Sequence, residues 1–480
     1  MVFNTSHIAC LGAGYVGGPT MAVLADKCRD VEVTVCDLNE ARIAAWNSDS
    51  LPVYEPGLEE IVFDRRGNNL FFTTDLQRTI ETCDVIFISV NTPTKTSGFG
   101  AGQAADLSYY ESAARSIAKH SRSSKIIIEK STVPVRTAAM LTVILATSTA
   151  NVDFVVLNSP EFLAEGTAIR DLEFPDRVLI GGPDNDPKGL EAIAVVKSLY
   201  RRWVPSERIL TTNLWSSEMA KLVANSFLGQ RISSINSISA LCEVVGADVR
   251  EVAKSIGADH RIGSAFLNAS VGFGGSCFQK DIYNLVYICR SLNLPEVADY
   301  WEQVIDINNW QKRRFSRNII KTLFGTVTRK EICILGFAFK KDTSDVRETP
   351  AIDVCAHLMN DGAIVNVYDP KVTREAAIIE FEYHGYSFNW DRQLIFHDKP
   401  SDAIRGTHAI VVVTEWDEFN GYDYSAAFES MSHPAFVFDG RNILDHAALF
   451  KIGFEVFGVG VRQWRYNEVE KQSGVCSLSG

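Results

Sequence analysis

A chain of 480 residues, 46% hydrophobic and 22% charged, has a globular balance, length for about three domains and no compositional mark of disorder. A net charge of −12 excludes general nucleic-acid binding, which wants a basic surface, but leaves room for a small phosphorylated ligand where a few Lys and Arg converge. The ten cysteines form no CxxC pair and mostly sit in apolar runs, which excludes a disulfide framework and a metal site and reads as reduced, buried thiols.

The N-terminus, MVFNTSHIAC, has no basic segment ahead of an apolar run, and no apolar stretch approaches the ~20 residues that span a bilayer. The expectation is a soluble, cytoplasmic protein. Along the first ~210 residues, β-rich runs at His7–Leu11, 31–37, 85–90, Lys125–Glu129, 154–157 and 177–180 alternate with helical patterns such as 19–27 and 107–120. Strands alternating with helices of this length predict βαβ units and a parallel sheet. From 215 to about 324 long helical patterns take over, at 216–245, 282–292 and 297–323, the first of them long enough to serve as spacer and dimerisation surface.

From 330 the alternation returns as an echo of the opening. EICILG (331–336) parallels IACLG (8–12), IVNVYDP (364–370) parallels VEVTVCD (31–37), and HAIVVVTEW (408–416) parallels DVIFISVNT (84–92). The second strand of each half ends in an acid, Asp37 and Asp369. The predicted fold is α/β, with two Rossmann-like doubly wound parallel-sheet domains joined by a central all-helical domain with a long helix. Its expected parts are a dinucleotide-binding domain (1–213), a helical dimerisation domain (214–325), a second Rossmann-like, ligand-binding domain (326–465) and a tail (466–480).

Gly12-Ala13-Gly14-Tyr15-Val16-Gly17 follows an apolar strand and opens a helix. The first Gly permits the turn, the second lets backbone approach a pyrophosphate, and the third allows close helix–strand packing. Asp37 falls 20 residues after Gly17, where a carboxylate accepts from the adenosine ribose and repels a 2′-phosphate, so NAD is favoured over NADP. Arg42 is the nearby residue able to host such a phosphate. In the second half the turn reads Gly336-Phe337-Ala338-Phe339-Lys340, and its bulky side chains predict that no dinucleotide binds there.

Ligands gather at the carboxyl ends of parallel strands. After the first-half strands come Asn91-Thr92-Pro93-Thr94, Ser131-Thr132, and Glu161 with Glu165. The segment GFGGSCFQKD (272–281) places Cys277 between a Gly-rich loop, read as letting backbone approach a ligand, and the start of a helical pattern, where the helix dipole favours a thiolate. Asp281, at i+4, opposes that thiolate, so a cation is required nearby; Lys221, which is i,i+4 with Asn225, is the candidate. A nucleophilic thiol in an NAD enzyme points to oxidation from alcohol to acid: hydride removal gives an aldehyde, the thiol adds, a second hydride removal gives a thioester, and water releases the acid.

These residues resemble the UDP-glucose 6-dehydrogenase family over nearly the whole chain. The resemblance is carried by GAGYVGGPTMA (12–22), VNTPTK (90–95), EKSTVPVRTA (129–138), PEFLAEGTAIRDL (160–172), PDRVLIGG (175–182), QRISSINSISALCE (230–243), FLNASVGFGGSCFQKD (266–281), GFAFKKDTSDVRETPAIDVC (336–355) and FDGRN (438–442). It implies four-electron, NAD-dependent oxidation of UDP-glucose to UDP-glucuronate, with two NADH per sugar. Cys277 would be the nucleophile, Lys221 would steady charge on the substrate oxygen, Asp281 with Thr132 would position a water, and Glu161 would be the base for thioester hydrolysis. Asn225 would hold the reacting sugar. NAD would meet Gly12, Ala13, Gly14, Tyr15, Val16, Gly17, Asp37, Arg42, Val90, Asn91, Thr92, Pro93, Thr94, Ser131, Glu165 and Arg347.

For the nucleotide sugar the resemblance implies Glu161, Phe162, Leu163, Ala164, Glu165, Lys221 and Asn225, then Asn268, Ala269, Ser270, Val271, Gly272, Phe273 and Gly274, with Lys340 and Arg441. Arg261 would reach into a neighbouring subunit, in a dimer or a hexamer. Two departures stand out: Asn158-Ser159-Pro160 replaces the usual Ser-Asn-Pro, and Ser344 and Val346 replace the usual Gly and Thr before Arg347. Three alternatives remain. One is the same chemistry on GDP-mannose or UDP-N-acetylmannosamine. A β-hydroxyacid dehydrogenase would need neither Cys277 nor a second α/β domain. The last is a non-catalytic nucleotide-sugar binder.

Overall fold

The computed structural model describes residues 5–465. The chain forms two compact units, one of residues up to Asn225 with Tyr283–Ala298, the other of Ser226–Ile282 with Asp299 onward. The divisions fall inside three helices, Leu214–Val245, Phe278–Ser291 and Pro295–Thr322. The expected tail, 466–480, lies outside the described residues.

The first unit holds strands β1 (His7–Leu11), β2 (Glu32–Cys36), β3 (Leu70–Thr73), β4 (Val85–Ile88), β5 (Lys125–Glu129), β6 (Phe154–Asn158), β7 (Val178–Gly182) and β8 (Ile209–Asn213). Their order is β3-β2-β1-β4-β5-β6-β7-β8. Ile8 and Cys10 point into one apolar cluster while Ala9 and Leu11 point into another; Val85 and Phe87 separate in the same way from Ile86 and Ile88. A strand with both faces buried is apolar at every position, as sheets covered by helices on both sides require. Strands β3 to β6 pair in parallel, but β7 meets β6 antiparallel at Asn158 and Gly181, and β8 runs with β7. The expected parallel sheet thus carries a reversed two-strand edge.

The second unit holds β9 (Glu331–Leu335), β10 (Ile364–Tyr368), β11 (Leu394–Phe396), β12 (Ala409–Val412), β13 (Phe436–Asp439) and β14 (Glu455–Gly458). Their order, β11-β10-β9-β12-β13-β14, reproduces that of the first six strands of the other sheet, and every pairing is parallel. The predicted repeat is therefore a repeat of topology. The helical pieces of this unit include Val249–Gly257, which the sequence reading did not assign. Buried Asn308 ties the glycine loop to helix Pro295–Thr322, accepting from Phe273 N–H at 2.9 Å and donating to Phe273 O at 3.0 Å. Among the described residues no helix is long and apolar enough to cross a membrane.

Candidate active site

In the first unit the turn after β1 behaves as its spacing predicts. Gly12 has φ +108°, and a Cβ there would lie 2.3 Å from Ser89 O. A Cβ on Gly17 would lie 2.1 Å from Gly12 O, so the third glycine lets the helix Gly17–Lys27 press on the turn. Gly14 is different, because nothing lies within 4 Å of its Cβ position. Backbone open on that side, at the start of a helix that no described side chain caps, suits a pyrophosphate. Asp37 Oδ2 accepts from Ala13 N–H at 2.9 Å and from Arg42 Nη1 at 3.0 Å, so Arg42 is turned onto the acid.

The loops after β4 and β5 lie beside this turn, where the strand order reverses. Ser131 Oγ donates to Val90 O at 2.7 Å, and Thr92 Oγ1 donates to Thr132 O at 3.0 Å. After β6, Glu161 Oε1 accepts from the N–H groups of Phe162 (2.8 Å) and Leu163 (3.2 Å), while Oε2 meets Lys130 Nζ at 2.8 Å. Burial raises the Glu161 carboxyl, but Lys130, the Phe162 N–H and the Lys221 charge together outweigh it, so the group stays below the usual carboxylate range and ionised. Lys221 and Asn225 sit one turn apart with Nζ to Oδ1 at 3.4 Å, and Nζ lies 5.2 Å from the centroid of the Phe162 ring. Arg177 lies on the same ring, 3.8 Å from its centroid, so two cations attend Phe162.

The sequence reading missed two residues that hold this region. Lys130 is buried and also donates to Tyr200 Oη at 3.2 Å; it was quoted only as part of a motif. Glu55 is buried in a Pro-flanked loop and accepts from Gly166 N–H (2.8 Å) and Ala168 N–H (3.1 Å), fixing the segment that carries Glu161 to Glu165. A charged residue between Pro52 and Pro56 was the available signal. The exchanged pair Asn158-Ser159 has a definite role too: Asn158 Nδ2 donates to Glu129 Oε2 at 3.2 Å, and its Oδ1 accepts from Ser217 Oγ at 2.6 Å.

In the second unit, Asp369 Oδ2 accepts from Phe337 N–H (2.7 Å), Ala338 N–H (3.0 Å) and Trp416 Nε1 (3.1 Å). Phe337, at the place of Ala13, is wholly buried against Phe381 and Phe396, and wholly buried Ala338 stands where the first turn has the open Gly14. Lys340 and Arg441 follow β9 and β13 at the carboxyl end of the sheet. Arg441 Nε donates to Val413 O at 2.6 Å and Nη2 to Phe339 O at 2.9 Å. Arg347 forks onto Asp345, with Nη2 to Oδ2 at 2.6 Å, in a loop where Asp342 and Glu348 take positive φ. Val346, one of the departures, is buried there.

The glycines before Cys277 have a packing reason within the second unit. Cβ atoms on Gly272, Gly274 and Gly275 would meet Asn308 Oδ1 at 2.9 Å, Glu348 O at 2.4 Å and the Phe339 ring at 2.8 Å. They serve packing within the unit, because a buried loop crossed by backbone and rings has no room for side chains. Cys277 precedes the helix Phe278–Ser291, its carbonyl accepts from Asp281 N–H at 2.9 Å, and Asp281 is buried. Of the nine described cysteines eight are buried and Cys277 is exposed; Cys476 lies outside the described residues. Arg261 is exposed and paired with Asp259, at 2.6 Å.

The candidate residues thus divide between the units. Gly12 to Gly17, Asp37, Arg42, Val90 to Thr94, Ser131, Thr132, Glu161 to Glu165, Lys221 and Asn225 belong to the first. Arg261, Asn268 to Gly274, Cys277, Asp281, Lys340, Arg347 and Arg441 belong to the second.

Known proteins match both halves. Three profiles of the UDP-glucose/GDP-mannose dehydrogenase family fit in succession: the NAD binding domain at residues 6–204, the central domain at 215–310 and the UDP binding domain at 333–446. UDP-glucose 6-dehydrogenase 2 of Oryza sativa subsp. japonica is 57% identical, covering 94% of this chain and 96% of that one. UDP-glucose 6-dehydrogenase of Gallus gallus is 56% identical, over 96% and 94%. A UDP-glucose dehydrogenase structure from the archaeon Pyrobaculum islandicum superposes with a TM-score of 0.82 at 27% identity, covering 96% of this chain and 98% of the other. An open glycine turn in one half and its closed copy in the other fall within the NAD-binding and UDP-binding matches, and the chain belongs to the UDP-glucose/GDP-mannose dehydrogenase family.

Proposed function

We propose that this protein oxidises UDP-glucose at C6 to UDP-glucuronate with two NAD, through a thioester on Cys277. The observation that carries the reading is the exposure of that one thiol, at the start of a helix, while the other described cysteines are buried. The identity to plant and chicken UDP-glucose 6-dehydrogenases supports UDP-glucose over GDP-mannose and UDP-N-acetylmannosamine.

NAD, when bound, accepts the hydride of each oxidation. The open Gly14 backbone and the adjoining helix start would hold its pyrophosphate, and Asp37 its adenosine ribose. The Lys221 ammonium stabilises negative charge on the C6 oxygen, and Asn225 orients the sugar. The Cys277 thiolate forms a C–S bond to the aldehyde carbon, giving a thiohemiacetal whose oxidation leaves a thioester. Water then attacks the thioester carbonyl. Glu161, ionised, takes the water proton, Asp281 and Thr132 hold the water, and the C–S bond breaks to return the thiolate. One alcohol, two NAD and one water thus give one carboxylate, two NADH and three protons. Lys340 and Arg441 neutralise the diphosphate in the second unit.

We also propose a central helical domain (214–325) that forms the dimer surface, with higher assembly to a hexamer, and Arg261 offered to a neighbouring copy; its exposure supports this. Nine thiols without a disulfide among the described residues suit a reducing, cytoplasmic setting. The test is stoichiometry: two NADH per UDP-glucose consumed. One NADH per sugar sinks the two-oxidation mechanism, and none supports a binding role.

A further inference from the structure

Two carboxyl groups that no step above uses lie buried beneath the strand-end loops of the first unit, each within reach of the other's charge. Glu129, the last residue of β5, is fully buried, and so is Glu218, near the start of helix Leu214–Val245. Both oxygens of Glu218 are taken by backbone. Oε2 accepts from Arg136 N–H at 2.6 Å and Oε1 from Ala138 N–H at 2.9 Å, so this residue caps helix Thr137–Leu145 from a different helix. Glu129 Oε2 accepts from Asn158 Nδ2, and Asn158 Oδ1 accepts from Ser217 Oγ, the neighbour of Glu218. Glu129 Oε1 is buried and meets no donor, and Glu218 is the charged group that acts on it.

Two ionised carboxylates in contact and out of water repel each other, whereas one proton between them makes a charge-assisted hydrogen bond. Burial and then the Glu218 charge hold Glu129 well above the usual carboxylate range, and burial also lifts Glu218. Glu218, already accepting two N–H bonds, is the better anion, so the proton belongs to Glu129. Tyr110, from helix Ser108–His120, is the titratable group facing Glu129, and its hydroxyl donates to Ile88 O at 3.0 Å. The next residue, Lys130, turns its ammonium to Glu161 and Tyr200. The guanidinium of Arg136 lies 5.6 Å from the centroid of the Trp215 ring.

We infer that Glu129 and Glu218 form an acid–carboxylate clasp that fixes the Thr132 loop against the helix face carrying Lys221 and Asn225, and that both are positioning residues. The clasp grips the loop at both ends: Glu129 precedes Lys130, Ser131 and Thr132, and Glu218 holds Arg136 and Ala138 beyond them. On the helix, Glu218, Lys221 and Asn225 stand at i, i+3 and i+7, on one face. Losing the proton therefore disturbs reacting groups on both elements. Because both values are raised in the fold, and that of Glu129 further, the clasp exists between them: it is lost as pH rises through the Glu129 value, and Glu218 takes a second proton as pH falls through its own. The inference rests on the roles proposed above for Thr132, Lys221 and Asn225.

The test uses the full-length enzyme and the variants Glu129→Gln and Glu129→Ala. The amide of Gln donates to Glu218 at every pH, so kcat at neutral pH stays within about threefold of the parent and the alkaline decline of kcat and melting temperature flattens. Removing the donor with Ala lowers kcat by about tenfold to a hundredfold while KM for NAD changes little. Glu129→Gln falling as far as Glu129→Ala, or titrating as the parent does, overturns the clasp; so does Glu129→Ala losing thermal stability with kcat intact. An infrared carbonyl band from a protonated buried acid, present in the parent at neutral pH and absent in Glu129→Gln, needs no turnover. If the parent lacks the band, the clasp is wrong even in an enzyme that makes two NADH per sugar. A band in a protein that makes no NADH overturns the reaction, and with it the positioning role.

Discussion

Lys130 Nζ and Glu161 Oε2 form an ion pair at 2.8 Å in which the ammonium is buried and the carboxylate is 15% exposed. The buried cation keeps the base ionised. Replacing Lys130 by Met leaves the carboxylate without its counter-charge, which costs about 3 kcal/mol, the low end for breaking such a pair, because Glu161 retains some solvent. The sign follows from the depressed Glu161 value: its stabilisation is present above the ordinary Glu range and is lost as pH falls through the folded value. In Lys130→Met, burial then pushes the carboxyl up, so the acidic limb of kcat moves to higher pH. A pH–rate profile with the limb unmoved refutes this account.

Gly14 and Gly17 separate ligand binding from folding. Gly14→Ala adds a methyl to open space, so stability changes by less than about 0.5 kcal/mol while NAD binding weakens. Gly17→Ala gains ~1 kcal/mol of helix propensity but drives a methyl to 2.1 Å from a backbone oxygen that cannot rotate away, a larger cost of about 1–3 kcal/mol. Urea melts and NAD titrations of the two variants give this contrast.

Asp37→Ser removes the charge that opposes a 2′-phosphate and releases Arg42 from its present partner. The ratio of kcat/KM for NADP over NAD rises by about tenfold or more, equivalent to ~1.4 kcal/mol. An unchanged ratio means that other groups set the preference.

Cys277→Ser keeps the fold, since the side chain is exposed, and keeps NAD and UDP-glucose binding. Steady-state UDP-glucuronate formation drops by about a thousandfold or more, the scale of losing a nucleophile. Activity near that of the parent rules out the thioester.

The sequence made the repeat and the glycine turn legible because both are local. Residues 8–12 and 331–336 align by eye, and the spacing of Gly12, Gly14 and Gly17 has a mechanical meaning for each position. Strand β3 escaped because four residues, LFFT, follow the polar run DRRGNN, and β8 because three of the five residues of ILTTN are polar. The reversal of β7 depends on pairing, which a run of apolar residues does not encode. Glu55 with Gly166, Asn158 with Glu129, and Glu129 with Glu218 are separated by many residues and meet only through sheet order. The loop glycines were seen, yet their packing role was not, because Asn308, Glu348 and Phe339 lie far along the chain.

Asp369 retains the same hold on its turn that Asp37 has, although buried Ala338 stands where the first turn has the open Gly14. The acid therefore predates its ligand in the logic of the fold: it anchors two strands' worth of backbone, and ribose recognition is a second use of an existing anchor. The second copy has the anchor without the open glycine. Divergence can then rewrite specificity through a single turn residue without endangering the sheet, and strand-to-acid spacing alone will always count such a domain as a cofactor binder when it is not.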